Sequence, residues 1–183
     1  MSNEVWKTFE DNTLSHSAAH YLMTIKDLLD DNGYARVTDI AKRLNITRGS
    51  CSISLKPLKK RGLVVEDENR FLLLSDEGRR LAEMVEMNDT LLETLFSEIL
   101  GVSADQAEID ACKIEHLLSI ETSLALANFV RHWKDDGAEV AALKKALQSS
   151  QLTCNHDVAS CDFCQSVCLT EMADDDPEGG YQD

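Results

Sequence analysis

Four side chains able to bind a metal recur at helical spacing in the second half of the chain. Glu108, Cys112, Glu115 and His116 stand at i, i+4, i+7 and i+8, so a helix predicted from Ser103 to Leu118 would carry them on one face. Carboxylate, thiolate and imidazole together form a ligand set for a divalent transition metal rather than for calcium or magnesium. Two other predicted helices offer similar donors. His16, His20 and Met23 line one face of the first helix, and Asp89 and Glu93 stand four residues apart on a long one. A separate group follows near the end of the chain: Cys154, His156, Cys161, Cys164 and Cys168 place five soft donors within 15 residues. That pattern suits Zn²⁺ or an iron–sulfur cluster, with His156 replacing one thiolate. A thiol redox switch and a tail with no specific role are the other readings.

Basic and small polar residues form a third group. A first helix spans Leu14–Leu29 on three- and four-residue apolar spacing and stops at Asp31-Asn32-Gly33. Thr38 is expected to cap a short helix through Leu44, and Asn45-Ile46-Thr47 makes a tight turn. A second helix runs from Arg48 to Arg61. Two short strands, Leu63–Val65 and Arg70–Leu74, then flank a polar turn. Helix, three-residue turn, helix and hairpin make a winged helix-turn-helix. Thr47, Arg48, Ser50, Ser52, Ser54, Lys56 and Lys59 on or beside the second helix, with Arg70 at the hairpin, are its candidate DNA contacts. Pro57 removes a helical donor, so a bend or restart is expected there, leaving Arg48–Lys56 as the base-reading half.

The charge distribution agrees with this division. The 183 residues carry a net charge of −15, which by itself argues against a polyanionic partner. From Tyr34 to Arg80, however, 11 basic residues face 6 acidic ones, whereas the remainder holds 7 against 27. A basic module is therefore joined to a strongly acidic one. No apolar run approaches the roughly 18 residues needed to span a bilayer. The polar Met1–Glu10 segment is no signal peptide. The expected location is the cytoplasm, where cysteines serve as thiols or ligands rather than disulfides.

Beyond the hairpin the pattern is all-helical. A long helix is expected over Asp76–Leu100 with Leu81, Val85, Leu92, Leu95, Phe96 and Ile99 inward. The helix from Ser103 follows, then Ile120–Trp133 and Ala138–Leu147. The fold class is mainly α: a winged helix-turn-helix DNA-binding domain over 1–80, a helical metal-binding and dimerisation domain over 81–150, and a Cys-rich acidic tail over 151–183.

From His20-Tyr21-Leu22 through the winged helix to Ala111-Cys112-Lys113-Ile114-Glu115-His116-Leu117-Leu118-Ser119, the chain resembles the DtxR/MntR family of metal-dependent transcriptional repressors. The match covers about Leu14 to Trp133. The Gly62-Leu63-Val64 run and the Cys-x-x-Glu-His block are its most specific features. The resemblance implies a homodimer whose DNA-binding domains are oriented when Fe²⁺ or Mn²⁺ binds where the first helix meets the dimerisation domain. It implies a regulatory site of His20, Cys112, Glu115 and His116, and an ancillary site of Asp89, Glu93 and Glu108. Met23 stands where the manganese branch has Glu, and Cys112 where the iron branch has Cys. The implied function is a non-enzymatic, Fe²⁺-responsive repressor of palindromic operator DNA that controls metal homeostasis. A Mn²⁺-responsive regulator of the same family, a winged-helix redox or iron–sulfur sensor using the terminal cysteines, and a metalloenzyme or metal store are the alternatives. Against the enzyme stands the absence of a nucleophile–base pair or an H-E-x-x-H pattern.

Overall fold

The computed structural model describes residues 14–135 and 137–149. The tail group Cys154, His156, Cys161, Cys164 and Cys168 lies outside the described residues. The chain divides into two units, 1–135 and 136–183.

In the first unit, α1 (His16–Asn32) starts where the Ser15 hydroxyl accepts from the Ala18 amide, and ends at Gly33, whose φ of 77° only glycine adopts freely. α2 (Val37–Arg43) and α3 (Arg48–Lys60) follow, joined by a turn in which Asn45 takes a left-handed φ of 53°. β1 (Val64–Glu66) and β2 (Leu72–Leu74) pair antiparallel, Val64 opposite Leu74 and Glu66 opposite Leu72. The Leu72 amide also donates to the Ala35 carbonyl, tying the wing to the α1–α2 connection. At the wing tip the Asp67 carboxylate accepts from the Asn69 and Phe71 amides, which holds Arg70 in a left-handed conformation. α4 (Asp76–Glu93), a π-helical turn (Thr94–Ile99), α5 (Ala104–Ile114), a 3₁₀ turn (Glu115–Leu117) and α6 (Ile120–Trp133) complete the unit.

One apolar core joins these elements. Leu22, Ile25 and Leu28 of α1 meet Ile40 of α2, Leu55 and Leu58 of α3, Val64 and Leu72 of the wing, and Ala82 and Val85 of α4. Because α1 and α4 share this core, the winged helix and the helical half are packed as one body. Polar contacts reinforce the α1–α4 crossing: the Lys26 ammonium lies 3.0 Å from Glu86 and 3.2 Å from Asp30, and Arg79 reaches Asp30 at 3.4 Å. The second unit contributes α7 (Ala138–Ser149), on which Leu143 and Leu147 are exposed.

The mainly helical, winged-helix architecture is the expected one, with four local differences. Thr38 does not cap α2: Arg36 takes the N-cap position, and Thr38 lies inside the helix. α3 continues through Pro57 without restarting, because Leu55 and Leu58 are buried on either side of it while the ring faces outward. The long helix over Asp76–Leu100 changes at Thr94 to a π turn, in which the Leu100 amide bonds five residues back to Leu95 and Ser97 donates its hydroxyl to the Glu93 carbonyl. Leu95, Phe96 and Ile99 are consequently only half-buried. The helix expected to run to Leu118 ends at Ile114, so Glu115 and His116 leave the straight stripe and enter a 3₁₀ turn.

Candidate metal centre and nucleic-acid interface

The candidate metal centre lies at the junction of α1, α4 and α5. Ala107 and Ala111 are buried small residues that let α5 lie close against α4. At Ile114 the backbone departs from the α conformation (φ −121°, ψ −10°), and Glu115 turns into the interior with 1% of its surface exposed. Asn88, on the same inward stripe of α4 as Val85 and Leu92, fixes that turn: its Nδ2 donates to the Glu115 carbonyl at 2.8 Å in a buried contact.

Across the junction His20 of α1 places Nε2 3.3 Å from the Cys112 Sγ. One donor atom each from His16, His20, Cys112 and Glu115 can be chosen so that all lie within 4.8 Å of one another. His16 meets His20 edge-on with ring centroids 4.4 Å apart, and its ring centroid is 5.4 Å from that of His116. His116 is beside this group without belonging to it, and its Nδ1 is buried with no hydrogen-bond partner. Glu115 Oε1 is in the same condition. Nitrogen, sulfur and carboxylate oxygen around two orphaned polar atoms fit a divalent transition metal.

The electrostatics favour a cation as well. Burial, followed by the neighbouring charge of Asp89 and a hydrogen bond to it, pushes the Glu115 carboxyl up to about 8. Burial and the Glu115, Asp89 and Glu108 carboxylates raise the Cys112 thiol. Burial lowers His20 and His116, keeping both imidazoles in the neutral, ligating form. Asp89 is raised by burial and by Glu108, and Glu93 by burial and by Asp89 and Glu108. These three acids are thus close enough to repel one another, but none belongs to the tight four-donor group. Asp89 is the link between them and Glu115.

The basic face lies on the winged helix. Arg48, Ser52, Lys56, Lys59 and Arg70 line one open cleft together with Arg36, Thr38, Gly49 and Glu66. Lys59 is ion-paired to Glu66 of β1, which draws the helix and the wing together. Thr47 is the N-cap of α3, accepting from the Ser50 amide at 3.1 Å, and its hydroxyl lies 2.9 Å from that of Ser50. Ser54 is half-buried on another side of α3, beside Ser15, Ser17 and Tyr21 of the α1 start, and does not join the cleft. Two cleft residues were not anticipated. Arg36 stacks its guanidinium 4.5 Å over Phe71 and 5.8 Å from Tyr34, and Thr38 stands in the first turn of α2. An Arg between two aromatic residues in sequence, Tyr34 and Phe71, is a weak signal that only the fold makes readable. Asn88 was also missed, although a polar residue three positions after Val85 on a buried stripe signals a buried hydrogen bond.

Comparison with known proteins bears on both sites. Residues 13–71 match the iron dependent repressor N-terminal DNA binding domain, and 75–139 match the iron dependent repressor metal binding and dimerisation domain. The HTH-type transcriptional regulator MntR of Oceanobacillus iheyensis is 31% identical over 139 residues, which cover 76% of this chain and 94% of that protein. The chain belongs to the DtxR/MntR family of metal-dependent transcriptional repressors. Among solved structures, the IdeR of T. acidophilum is 25% identical with a TM-score of 0.50 over 60% of this chain. The manganese regulator SloR is 24% identical, and its TM-score of 0.56 over 62% of this chain shows the shared fold. The chain spans about half the length of these two structures, 52% and 53%.

The DtxR/MntR family comprises transcriptional regulators rather than enzymes, and the two matched domains assign DNA binding to the first part of this repressor and metal binding with dimerisation to the second. No described helix is long and apolar enough to cross a membrane.

Proposed function

We propose that this repressor responds to Fe²⁺ and binds a palindromic operator as a homodimer to control metal homeostasis. The observation that carries the reading is the 3.3 Å approach of Cys112 Sγ, on the dimerisation half, to His20 Nε2, on the first helix of the winged-helix half. His20, Cys112 and Glu115 would hold the ion, with His116 beside them and Asp89, Glu93 and Glu108 as an adjoining acidic site. When bound, a divalent ion supplies a positive charge and bonds that bridge the two halves. His20 ties the start of the DNA-binding domain, Cys112 and Glu115 tie α5 and the 3₁₀ turn, and Asn88 keeps Glu115 aimed inward. The joined halves restrict the winged helix relative to the dimer interface, which favours one spacing of the two DNA-reading helices. Arg48, Ser52, Lys56, Lys59 and Arg70 then contact the duplex, with Arg36 and Thr38 beside them, and Thr47 and Ser50 at the helix start.

A thiolate is softer than a carboxylate and suits Fe²⁺ better than Mn²⁺. The manganese reading is supported by the similarity to the Oceanobacillus MntR. For the homodimer, the support is an apolar groove between α4 and α6 lined by Met84, Met87, Ile120 and Leu124, of which Leu124 is 65% exposed. Anaerobic titration of Fe²⁺, Mn²⁺ and Zn²⁺ followed by binding to a labelled palindromic operator tests the proposal. Tighter binding with Fe²⁺ than with Mn²⁺ is expected. Equal affinity of the metal-free and Fe²⁺-loaded proteins would refute metal control, and a response to Mn²⁺ alone would replace iron by manganese.

A further inference from the structure

We infer that His16 is a metal ligand in this repressor, so that α1 contributes two imidazoles to the ion and the donor set is two nitrogens, one sulfur and one oxygen. The inference rests on the metal-centre reading above and deepens it by fixing the coordination and hence the metal preference. His16 and His20 stand one helical turn apart, which sends both rings from the same face of α1 toward the same space. Their rings meet edge-on at 4.4 Å, an arrangement in which nitrogens of both can face a common point. The four donor atoms of His16, His20, Cys112 and Glu115 are mutually within 4.8 Å. A tetrahedral site with ordinary Zn–N, Zn–O and Zn–S bonds has donor–donor edges of about 3.4 to 3.6 Å. The His20–Cys112 edge, at 3.3 Å, is within about 0.3 Å of that length, and the others, none longer than 4.8 Å, need to shorten by at most about 1.4 Å, within reach of rotamer adjustment.

The chemistry of the set follows from its members. Two neutral imidazoles, a thiolate and a single carboxylate make a compact four-coordinate environment, which suits Fe²⁺, Co²⁺ and Zn²⁺. Mn²⁺ is matched better by oxygen-rich surroundings. Placing two ligands on α1 also secures the first turn of that helix. This is the turn that begins at the Ser15 cap and lies beside the start of the DNA-binding domain. Metal binding thereby grips α1 at two points one turn apart and resists rotation about its axis, which a single ligand on α1 would allow.

The test uses the full chain with Cys154, Cys161, Cys164 and Cys168 replaced by serine, so that Cys112 is the thiol available at the centre. His16→Phe keeps an aromatic ring against His20 and removes both nitrogens; His16→Cys restores a donor. Anaerobic Co²⁺ titration reads affinity, the thiolate-to-cobalt absorption and the visible bands whose intensity marks tetrahedral coordination. His16→Phe is expected to weaken Co²⁺ binding by at least roughly tenfold, since losing even an outer-shell partner has effects of that order. The visible bands should dim, the thiolate band should remain, and His16→Cys should recover tight binding. His16 is exposed, so the metal-free variants should unfold at the parent temperature. If His16→Phe binds Co²⁺ with parental affinity and spectrum while Cys112→Ser loses the thiolate band, His16 is not a ligand and the centre itself stands. If Cys112→Ser retains the band, the centre itself is refuted, and His16 with it.

Discussion

At the residue scale, the centre depends on small, specific constraints. Asn88 touches none of the proposed donor atoms, yet it holds the backbone of Glu115 from across the junction, with 0% of its own surface exposed. Replacing it by Leu would fill similar volume, leave the Glu115 carbonyl without its donor, and free the 3₁₀ turn to relax. We expect Asn88→Leu to lower Fe²⁺ affinity by about 10- to 100-fold, the usual effect of losing a partner behind a ligand. Calorimetric titration of the variant checks this, and parental affinity would show that Glu115 is positioned by its own turn alone. The coupling of Glu115 and Asp89 belongs to the same scale. A buried carboxyl group and a half-buried one sharing a hydrogen bond keep a proton when no cation is near, and that proton must leave when Glu115 becomes a ligand.

At the element scale, the contact that sets the winged helix against the helical half is unusually close. Gly78, in the first turn of α4, lies against the Leu63 carbonyl, and a Cβ there would stand 2.1 Å from that oxygen. The same oxygen accepts from the Ser75 amide at 3.0 Å, while Ser75 caps α4 through the Gly78 amide. No side chain can be accommodated without moving β1 or α4. Gly78→Ala should therefore destabilise the fold by about 1 to 3 kcal/mol, as overpacking of a tight contact does. Urea unfolding measures it; an unchanged midpoint would mean that the junction yields freely. The helix breaks at Thr94 and Ile114 are also element-scale features. A straight helix would already set Cys112 and Glu115, three positions apart, on one face; ending α5 at Ile114 adds the inward turn that buries Glu115.

At the scale of the whole molecule, charge and apolar surface divide the labour. Several basic residues in and beside the DNA-binding half are committed internally: Lys26 and Arg79 to acids of α1 and α4, and Arg43 to Asp31 at 3.0 Å. The cleft thus presents a narrower basic surface than the residue count suggests, centred on Arg36, Arg48, Lys56 and Arg70. The groove between α4 and α6 concentrates exposed apolar area, with Met87, Ile120 and Leu124 44%, 54% and 65% exposed. A patch of this kind marks an association surface. Introducing Leu124→Glu should shift the proposed homodimer toward monomer in sedimentation velocity, with DNA affinity reduced as the second half-site is lost. A dimer of parental stability would move the interface elsewhere.

Much of this was legible in the chain before any coordinates. Apolar spacing located α1, α3 and α6, and Asn45-Ile46-Thr47 and Gly33 marked turns whose backbone conformations require such residues. The Cys-x-x-Glu-His block and His20 named the metal chemistry, because ligand identity is a property of residue type. The sequence by itself therefore determined the family, the helix-turn-helix order and the kinds of donor present. Only the tertiary structure decided which donors converge. His16 and Cys112 stand 96 positions apart, and periodicity cannot show that α1 crosses α4 so as to bring them together. It could not show that a 3₁₀ turn carries Glu115 inward, or that Ser54 faces α1 rather than the cleft. These outcomes depend on side-chain packing between distant elements, where the cost of leaving apolar surface and polar groups unpaired selects one arrangement of helices that local propensity leaves open.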